Sequence, residues 1–260
     1  MTTDDLDDDE LHRYARQLIL PSFDEDHQLT LKSAHALVIG AGGLGAPVLQ
    51  YLAAAGLGTI TIMDDDTIDL TNLNRQVIHT TPRLGQNKVN SAKTSLMALN
   101  PLIRINAISA RFSADTPAET LDEVTVIIDA SDNPDTRLAA NQAAHNHGVP
   151  LVFGGAVRME GQVASFRSGV DKTAPCYRCL FPGHAGAELA PGCSEAGILG
   201  PVTGVIGSIM ALEAIKQILA PDTVLGERLD GKLLLYDGFN LMTTVINVTK
   251  QVDCPTCGDG

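Results

Sequence analysis

Residues 34–45 read AHALVIGAGGLG, an unbroken apolar run that closes on Gly40-Ala-Gly42-Gly43-Leu-Gly45. A short apolar run with no polar alternation predicts a strand buried on both faces. The glycines predict a tight turn into a helix, AGGLGAPVLQYLAAAGLG, that ends near Gly56. A G-x-G-x-x-G signature between strand and helix lets main chain approach a phosphate at a helix N-terminus. Asp64 closes the next strand, TITIMDDD, 24 residues after Gly40. A carboxylate there can accept from ribose hydroxyls. This pattern predicts nucleotide binding and does not separate NAD from ATP.

Outward from this unit the alternation continues. KVNSAKTSLMALN (88–100) predicts a helix closed by Asn100-Pro101, and RINAIS (104–109) a third strand. VTVIIDASDN (124–133) predicts a fourth strand, DTRLAANQAAHNHG (135–148) a helix and PLVFGGA (150–156) a fifth strand. Strands and helices alternating at these lengths predict an α/β fold with a doubly wound, Rossmann-like, mostly parallel sheet. RMEGQVASFRS (158–168), KLLLYDG (232–238) and TTVINVTKQV (243–252) predict antiparallel strands that extend it. VTGVIGSIMALEAIKQIL (202–219) predicts a helix with small residues on one side, and residues 183–201 a glycine-rich crossing loop. At the start, ELHRYARQLIL (10–20) has helical spacing, with Arg13 and Arg16 on one side. The expected organisation is one unit over 1–260: a helical arm (1–33), a nucleotide-binding core (34–156), and a part (157–260) with the antiparallel extension, the crossing loop and a metal site.

Composition limits the functional classes. The chain has 260 residues, 44% apolar and 19% charged, with 24 Gly and 13 Pro, which is ordinary globular usage. Its 18 Lys and Arg face 31 Asp and Glu, a net charge of -13. Such a surface repels phosphate backbones and argues against a nucleic-acid partner, although a local pocket can oppose the global sign. The opening MTTDDLDDDE lacks the layout of a signal peptide, and Glu213 and Lys216 interrupt the apolar stretch from Gly197 to Leu219. The expectation is a cytoplasmic protein with no membrane partner.

Several residues carry candidate chemistry. The run Thr71-Asn72-Leu73-Asn74-Arg75-Gln76 follows strand two, Lys88 opens a helix, and Asp132-Asn133 ends strand four at the carboxyl edge of the sheet. There an open α/β sheet binds ligands. Cations that neutralise phosphates and a carboxylate for Mg²⁺ are what a triphosphate needs and a dehydrogenase does not. Cys176-x-x-Cys179 and Cys254-x-x-Cys257 can each supply two thiolates, and four suit tetrahedral structural Zn²⁺ if the fold returns the C-terminus to the 176–179 turn. His184 is a less suitable substitute ligand. Cys193, in the glycine-rich loop, is a candidate nucleophile, although a lone cysteine is more often structural. His79, His145 and His147 have no patterned partners and predict surface or core positions, and Arg158 predicts a structural role.

Together, Arg-Tyr-Ala-Arg-Gln (13–17), Gly40–Gly45, Asp64, Asn72 to Gln76, Lys88, Asp132-Asn133, Cys-Tyr-Arg-Cys (176–179), Cys193 and the final Cys-Pro-Thr-Cys resemble the MoeB/ThiF/HesA family, relatives of ubiquitin-activating enzymes. Arg-Met-Glu-Gly-Gln (158–162) is more similar to MoeB than to ThiF. The resemblance implies ATP-dependent adenylation of the C-terminal Gly-Gly carboxylate of a small ubiquitin-like sulfur carrier. That carrier is MoaD-like for molybdopterin synthesis or, alternatively, ThiS-like for thiamine. An NAD-dependent oxidoreductase and a non-catalytic nucleotide-binding scaffold are more remote readings. The family pattern implies that Gly43 faces the nucleotide. Asp64 and the run Thr71, Asn72, Leu73 and Asn74 hold the ribose and nearby groups. Arg75 and Lys88 neutralise phosphates, and Asp132, beside Asn133, holds Mg²⁺. Arg16 matches an arginine that reaches the site from a second subunit, which implies a homodimer. The four paired cysteines match structural zinc ligands. Cys193 matches a cysteine that some members use in sulfur transfer, a step that adenylation itself does not require.

Overall fold

The computed structural model describes residues 5–182, 196–220 and 225–258. Part of the acidic leader is a helix start. Helix α1 (Asp8–Leu18) opens on a capping box in which the Glu10 N–H donates to Asp7 Oδ1 (2.8 Å) and the Asp7 N–H to Glu10 Oε2 (3.0 Å). The first-turn acids face the positive end of the helix dipole. Helix α2 (Glu25–Ser33), unforeseen from sequence, is capped by Asp24 and fastened to α1 by a Lys32–Glu10 ion pair of 2.7 Å.

Eight strands form one sheet: β1 (His35–Ile39), β2 (Thr59–Met63), β3 (Arg104–Ile108), β4 (Val126–Asp129), β5 (Leu151–Val157), β6 (Glu160–Phe166), β7 (Lys232–Asp237) and β8 (Met242–Asn247). Their order is β3-β2-β1-β4-β5-β6-β7-β8. The pairs from β3 to β5 are parallel and those from β5 to β8 antiparallel, as the sequence predicts. The chain runs outward from β1 through β2 to β3, then returns to the other flank of β1 with β4. The carboxyl ends of β1 and β4 therefore form the topological switch point, where open α/β sheets leave a crevice.

The remaining helices are α3 (Gly45–Ala54), α4 (Lys88–Leu99), α5 (Pro134–His147), the single turn α6 (Tyr177–Leu180) and α7 (Gly200–Ile218). Alternate residues of β1 serve opposite layers. Ala36 and Val38 pack with α3, α4 and α7, whereas Leu37 and Ile39 pack with α5 and α6. This double burial is why β1 is apolar from Ala36 to Ile39. Gly148, in left-handed conformation at φ 66°, ends α5.

Helix α7 occupies the apolar 197–219 stretch, and among the described residues no helix is long and apolar enough to cross a membrane. Glu213 is tolerated inside it because its Oε1 accepts from Ser165 Oγ (2.8 Å), the Leu229 N–H (2.8 Å) and Gln217 Nε2 (3.0 Å). Burial still holds this carboxyl above its usual range. Gly207 lets α7 approach α3: a Cβ there would lie 2.3 Å from Pro47 Cγ and 2.6 Å from the Leu44 carbonyl oxygen. Gly207→Ala is expected to destabilise the protein by about 1–3 kcal/mol through overpacking. The reading is a lower urea midpoint at unchanged slope. A wild-type midpoint would show that α7 can retreat without cost.

Candidate active site

The switch point holds a cavity lined by the glycine turn, the ends of β2 and β4, and the first turns of α4 and α5. Its floor is set by close main-chain contacts. Gly40 has φ +98°, and a Cβ on it would sit 2.9 Å from the Ala130 carbonyl oxygen. A Cβ on Gly45 would lie 2.0 Å from the Gly40 carbonyl oxygen, so no other residue fits between turn and helix. Helix α3 starts there with no side-chain cap; its Ala46 N–H donates to the Gly42 carbonyl (2.9 Å) and Pro47 has none, so the helix offers the crevice the positive end of its dipole rather than a row of free N–H groups.

Asp64, at the end of β2, accepts from the Ala41 N–H (2.7 Å) and, with its other oxygen, from the Asp66 N–H (2.8 Å). Burial raises its pKa, opposed by Lys88 and these two N–H groups. Lys88 is buried at the start of α4, and its Nζ lies 2.7 Å from Asp66 Oδ2. Arg75 enters from the segment after β2, with Nη1 donating to the Thr71 carbonyl (2.9 Å) and Asn74 Oδ1 (3.3 Å). Arg111 pairs with Asp65 at 3.2 Å on the cavity rim. Asp132 follows β4 and is exposed to the cavity, while Asn133 Oδ1 caps α5 by accepting from the Thr136 N–H (3.0 Å). A cluster of cations thus meets carboxylates and a helix N-terminus in one crevice.

Of the residues expected from sequence, Gly43, Asp64, Arg75, Lys88, Asp132 and Asn133 all line this cavity. Thr71, Asn72, Leu73 and Asn74 are not among its lining residues. They form a local turn in which Asn72 Oδ1 accepts from the Asp69 N–H (3.1 Å) and Asn74 Nδ2 donates to the Thr71 carbonyl (3.1 Å). Arg16 lies exposed on α1 and does not line this chain's cavity. Cys193 and His184 fall outside the described residues.

Three further residues here are given no role at the site by the sequence, although Gln76 lies in the run from Thr71 to Gln76 and His79 is read there as a surface or core position. Gln76 is buried beside Gly42, and its Oε1 has no hydrogen-bond partner among the described residues. Its adjacency to Arg75 was the available signal. His79 is a buried histidine against the glycine turn. Arg137 lines the cavity from α5, donates to the Ser131 carbonyl (2.9 Å) and stacks 5.0 Å over the Phe153 ring. Of the other histidines, His145 Nδ1 lies 3.0 Å from Ser168 Oγ, and Arg158 takes a φ of +54° where it bridges to Ile198.

Away from the cavity, Cys176 and Cys179 flank the α6 turn and meet Cys254 and Cys257 from the C-terminal segment. All four thiols are free and buried. Their sulfurs lie within 4.8 Å of one another, with Cys176–Cys254 at 3.6 Å and Cys179–Cys257 at 3.4 Å. Four thiolates at ~2.3 Å from a tetrahedral Zn²⁺ are ~3.8 Å apart, so this set fits the ion and offers no open position. Burial pushes the Cys176 thiol up to about 11. Burial also opposes ionisation of Cys254, but the N–H groups of Cys257 and Thr256 bring it down to about 7. Asn141 of α5 donates from Nδ2 to Cys176 Sγ (3.6 Å) and accepts from the Tyr177 N–H (2.9 Å).

The ThiF family model matches residues 14–256. A sulfur carrier protein adenylyltransferase of Thermus thermophilus is 44% identical over 253 residues, covering 96% of this chain and 92% of that protein. The SAMP-activating enzyme E1 of Haloferax volcanii is 38% identical and covers 98% of this chain and 92% of its own length. The adenylyltransferase and sulfurtransferase MOCS3 of Culex quinquefasciatus is 42% identical, and this chain spans 57% of its length. The crystal structure of E. coli MccB with ATP shares the fold, with a TM-score of 0.77 at 23% identity over 95% of this chain and 74% of that one. From its sequence along nearly its whole length, and in agreement with its fold, the chain belongs to the ThiF family.

Proposed function

We propose that this chain uses ATP to adenylate the C-terminal carboxylate of a small ubiquitin-like sulfur carrier that ends in Gly-Gly. The observation that carries the reading is the convergence of Arg75, Lys88 and Asp132 on one cavity with the glycine turn and the uncapped start of α3. The Thermus relative's own name, sulfur carrier protein adenylyltransferase, supports it. A MoaD-like carrier is the first candidate and a ThiS-like carrier the alternative.

The chemistry follows from charge. A C-terminal carboxylate is already ionised at neutral pH, so it needs no general base. Its oxygen attacks the α-phosphorus, the bond to the bridging oxygen breaks, and pyrophosphate leaves with that electron pair. What the protein must supply is alignment and neutralisation of spreading negative charge. The main chain of the glycine turn and the positive end of α3 cradle phosphate, while Arg75 and Lys88 offset its charge. Asp132, an exposed carboxylate in the same cavity, suits a hard divalent ion such as Mg²⁺, which would supply further charge neutralisation on phosphate oxygens. Asp64 is available to ribose hydroxyls. Arg16, on the exposed side of α1, suits a contribution to the cavity of a second copy, so we take the working unit to be a homodimer. An NAD-dependent oxidoreductase has no use for the cation pair. The fully enclosed cysteine set supports a structural zinc, held by Cys176, Cys179, Cys254 and Cys257.

ATP–pyrophosphate exchange should appear only with a Gly-Gly-ended carrier, which should gain the mass of an adenylyl group (AMP less one water). Arg75→Ala, Lys88→Ala and Asp132→Ala should each lower it by about 10²-fold or more, with unchanged circular dichroism. Losses of only about 2-fold in all three would overturn these roles. Freshly purified protein should carry about one zinc per chain, and Cys176→Ser should lose the metal and unfold at lower temperature. Metal analysis finding no zinc would refute the assignment.

A further inference from the structure

His79 grips the glycine turn from behind. It is 5% exposed, and its Nε2 lies 2.9 Å from the Ala41 carbonyl oxygen. A carbonyl can only accept, so Nε2 carries the hydrogen and Nδ1 is left with a lone pair. Nδ1 lies 3.0 Å from Ser91 Oγ, which donates to it. Burial, with the positive charges of Lys88 and Arg83, outweighs the opposing hydrogen bond to Ala41 and holds the imidazole below its usual range, which favours the neutral form this arrangement requires.

Two consequences follow from position. The Ala41 residue is held at both ends, its N–H by Asp64 at 2.7 Å and its C=O by His79. A trans peptide is planar, so fixing that carbonyl fixes the Gly42 N–H on the opposite edge, and Gly42 lines the cavity. Ser91 sits three residues beyond Lys88 on α4, so the imidazole also sets the spacing between the glycine turn and the helix that carries Lys88.

We propose that His79 is a positioning residue for the nucleotide: through the Ala41 carbonyl and Ser91 it aims the Gly42 N–H at the phosphates and fixes the turn's distance from Lys88. This rests on the cavity being the ATP site. A group that acts through the turn must change the affinity for nucleotide and leave the carrier's docking unchanged.

The test is ATP–pyrophosphate exchange with carrier, paired with calorimetric titration of ATP, on wild type, His79→Leu, His79→Gln and Ser91→Ala. His79→Leu removes a buried hydrogen bond and should raise the KM for ATP by about tenfold, with the KM for carrier unchanged. The glutamine amide can still donate to the Ala41 carbonyl, so His79→Gln should recover most of the loss. Ser91→Ala leaves the imidazole in place and should raise the KM for ATP by a smaller factor. Should His79→Leu not fold, His79→Gln and Ser91→Ala decide the matter through the same two KM values. An ATP KM at the wild-type value in every folded variant, with only thermal stability lowered, overturns the proposal and leaves the ATP reading standing. Absence of ATP binding to the wild type overturns the reading of the cavity itself.

Discussion

The Gly40 Cα lies so close to the Ala130 carbonyl that a methyl group would come within 2.9 Å of it. The chain must leave β1, turn, and enter α3 directly beside the end of β4. Only a residue without a side chain, at φ +98°, makes that turn. The contact fixes three things together. It places the start of α3 at the switch point, brings the Ser131–Asn133 segment to the same edge, and leaves the Ala41 peptide where Asp64 and His79 can hold it. Because β1 is buried on both faces, neither strand can slide to relieve the contact.

The electrostatics of the crevice depart from those of the whole molecule: Arg75, Lys88, Arg111 and Arg137 balance Asp64, Asp65, Asp66 and Asp132 in its lining. At net charge -13 the surface is acidic, yet Arg75, Lys88 and Arg111 face one opening. Lys88 is the most constrained of them. Its ammonium is buried, and Asp66 supplies the counter-charge from the solvent edge at 2.7 Å. A buried cation is costly even with Asp66 paired to it and the Asp64 carboxylate nearby, and an anion in the cavity offers it a further partner. A charge-balanced crevice thus sits in an acidic molecule, and a carrier of acidic character would have to dock through apolar or local basic contacts.

Much of the fold was legible because burial writes itself into hydropathy. The strands β1, β2, β4 and β5 are apolar runs, and turn residues punctuate them. Helix α2 was not, since it buries only Gln28 and Leu31 and so shows little periodicity. At the site, Asp64, Lys88, Asp132 and Asn133 were read from their positions at strand and helix ends, and they line the crevice. Thr71 to Asn74 were expected at the cavity from a family pattern, yet the local turn commits the side chains of Thr71 and Asn72 to Asp69 and that of Asn74 to the Thr71 carbonyl. His79 was invisible for a different reason. Its partners are a main-chain carbonyl 38 residues away and a serine on α4, neither of which leaves a pattern in sequence. The cysteine pairs were legible as pairs, but their meeting depends on β7 and β8 returning the C-terminal segment to α6.

That return matters beyond stability, because one helix spans both sites. Asn133 caps α5 at the cavity, directly after Asp132, and two turns later Asn141 of the same helix holds both Cys176 Sγ and the Tyr177 N–H. A helix gripped at its middle and capped at its start cannot rotate or shift along its axis without breaking one set of bonds. The cysteine cluster therefore does for α5 what the glycine contact does for α3. Each fixes a helix whose first turn faces the crevice. Two pins far apart in sequence, one made of close main-chain contact and one of sulfur, hold the opposing walls of the cavity at a set distance. A site that works by alignment and charge needs this rigidity more than it needs any single reactive group.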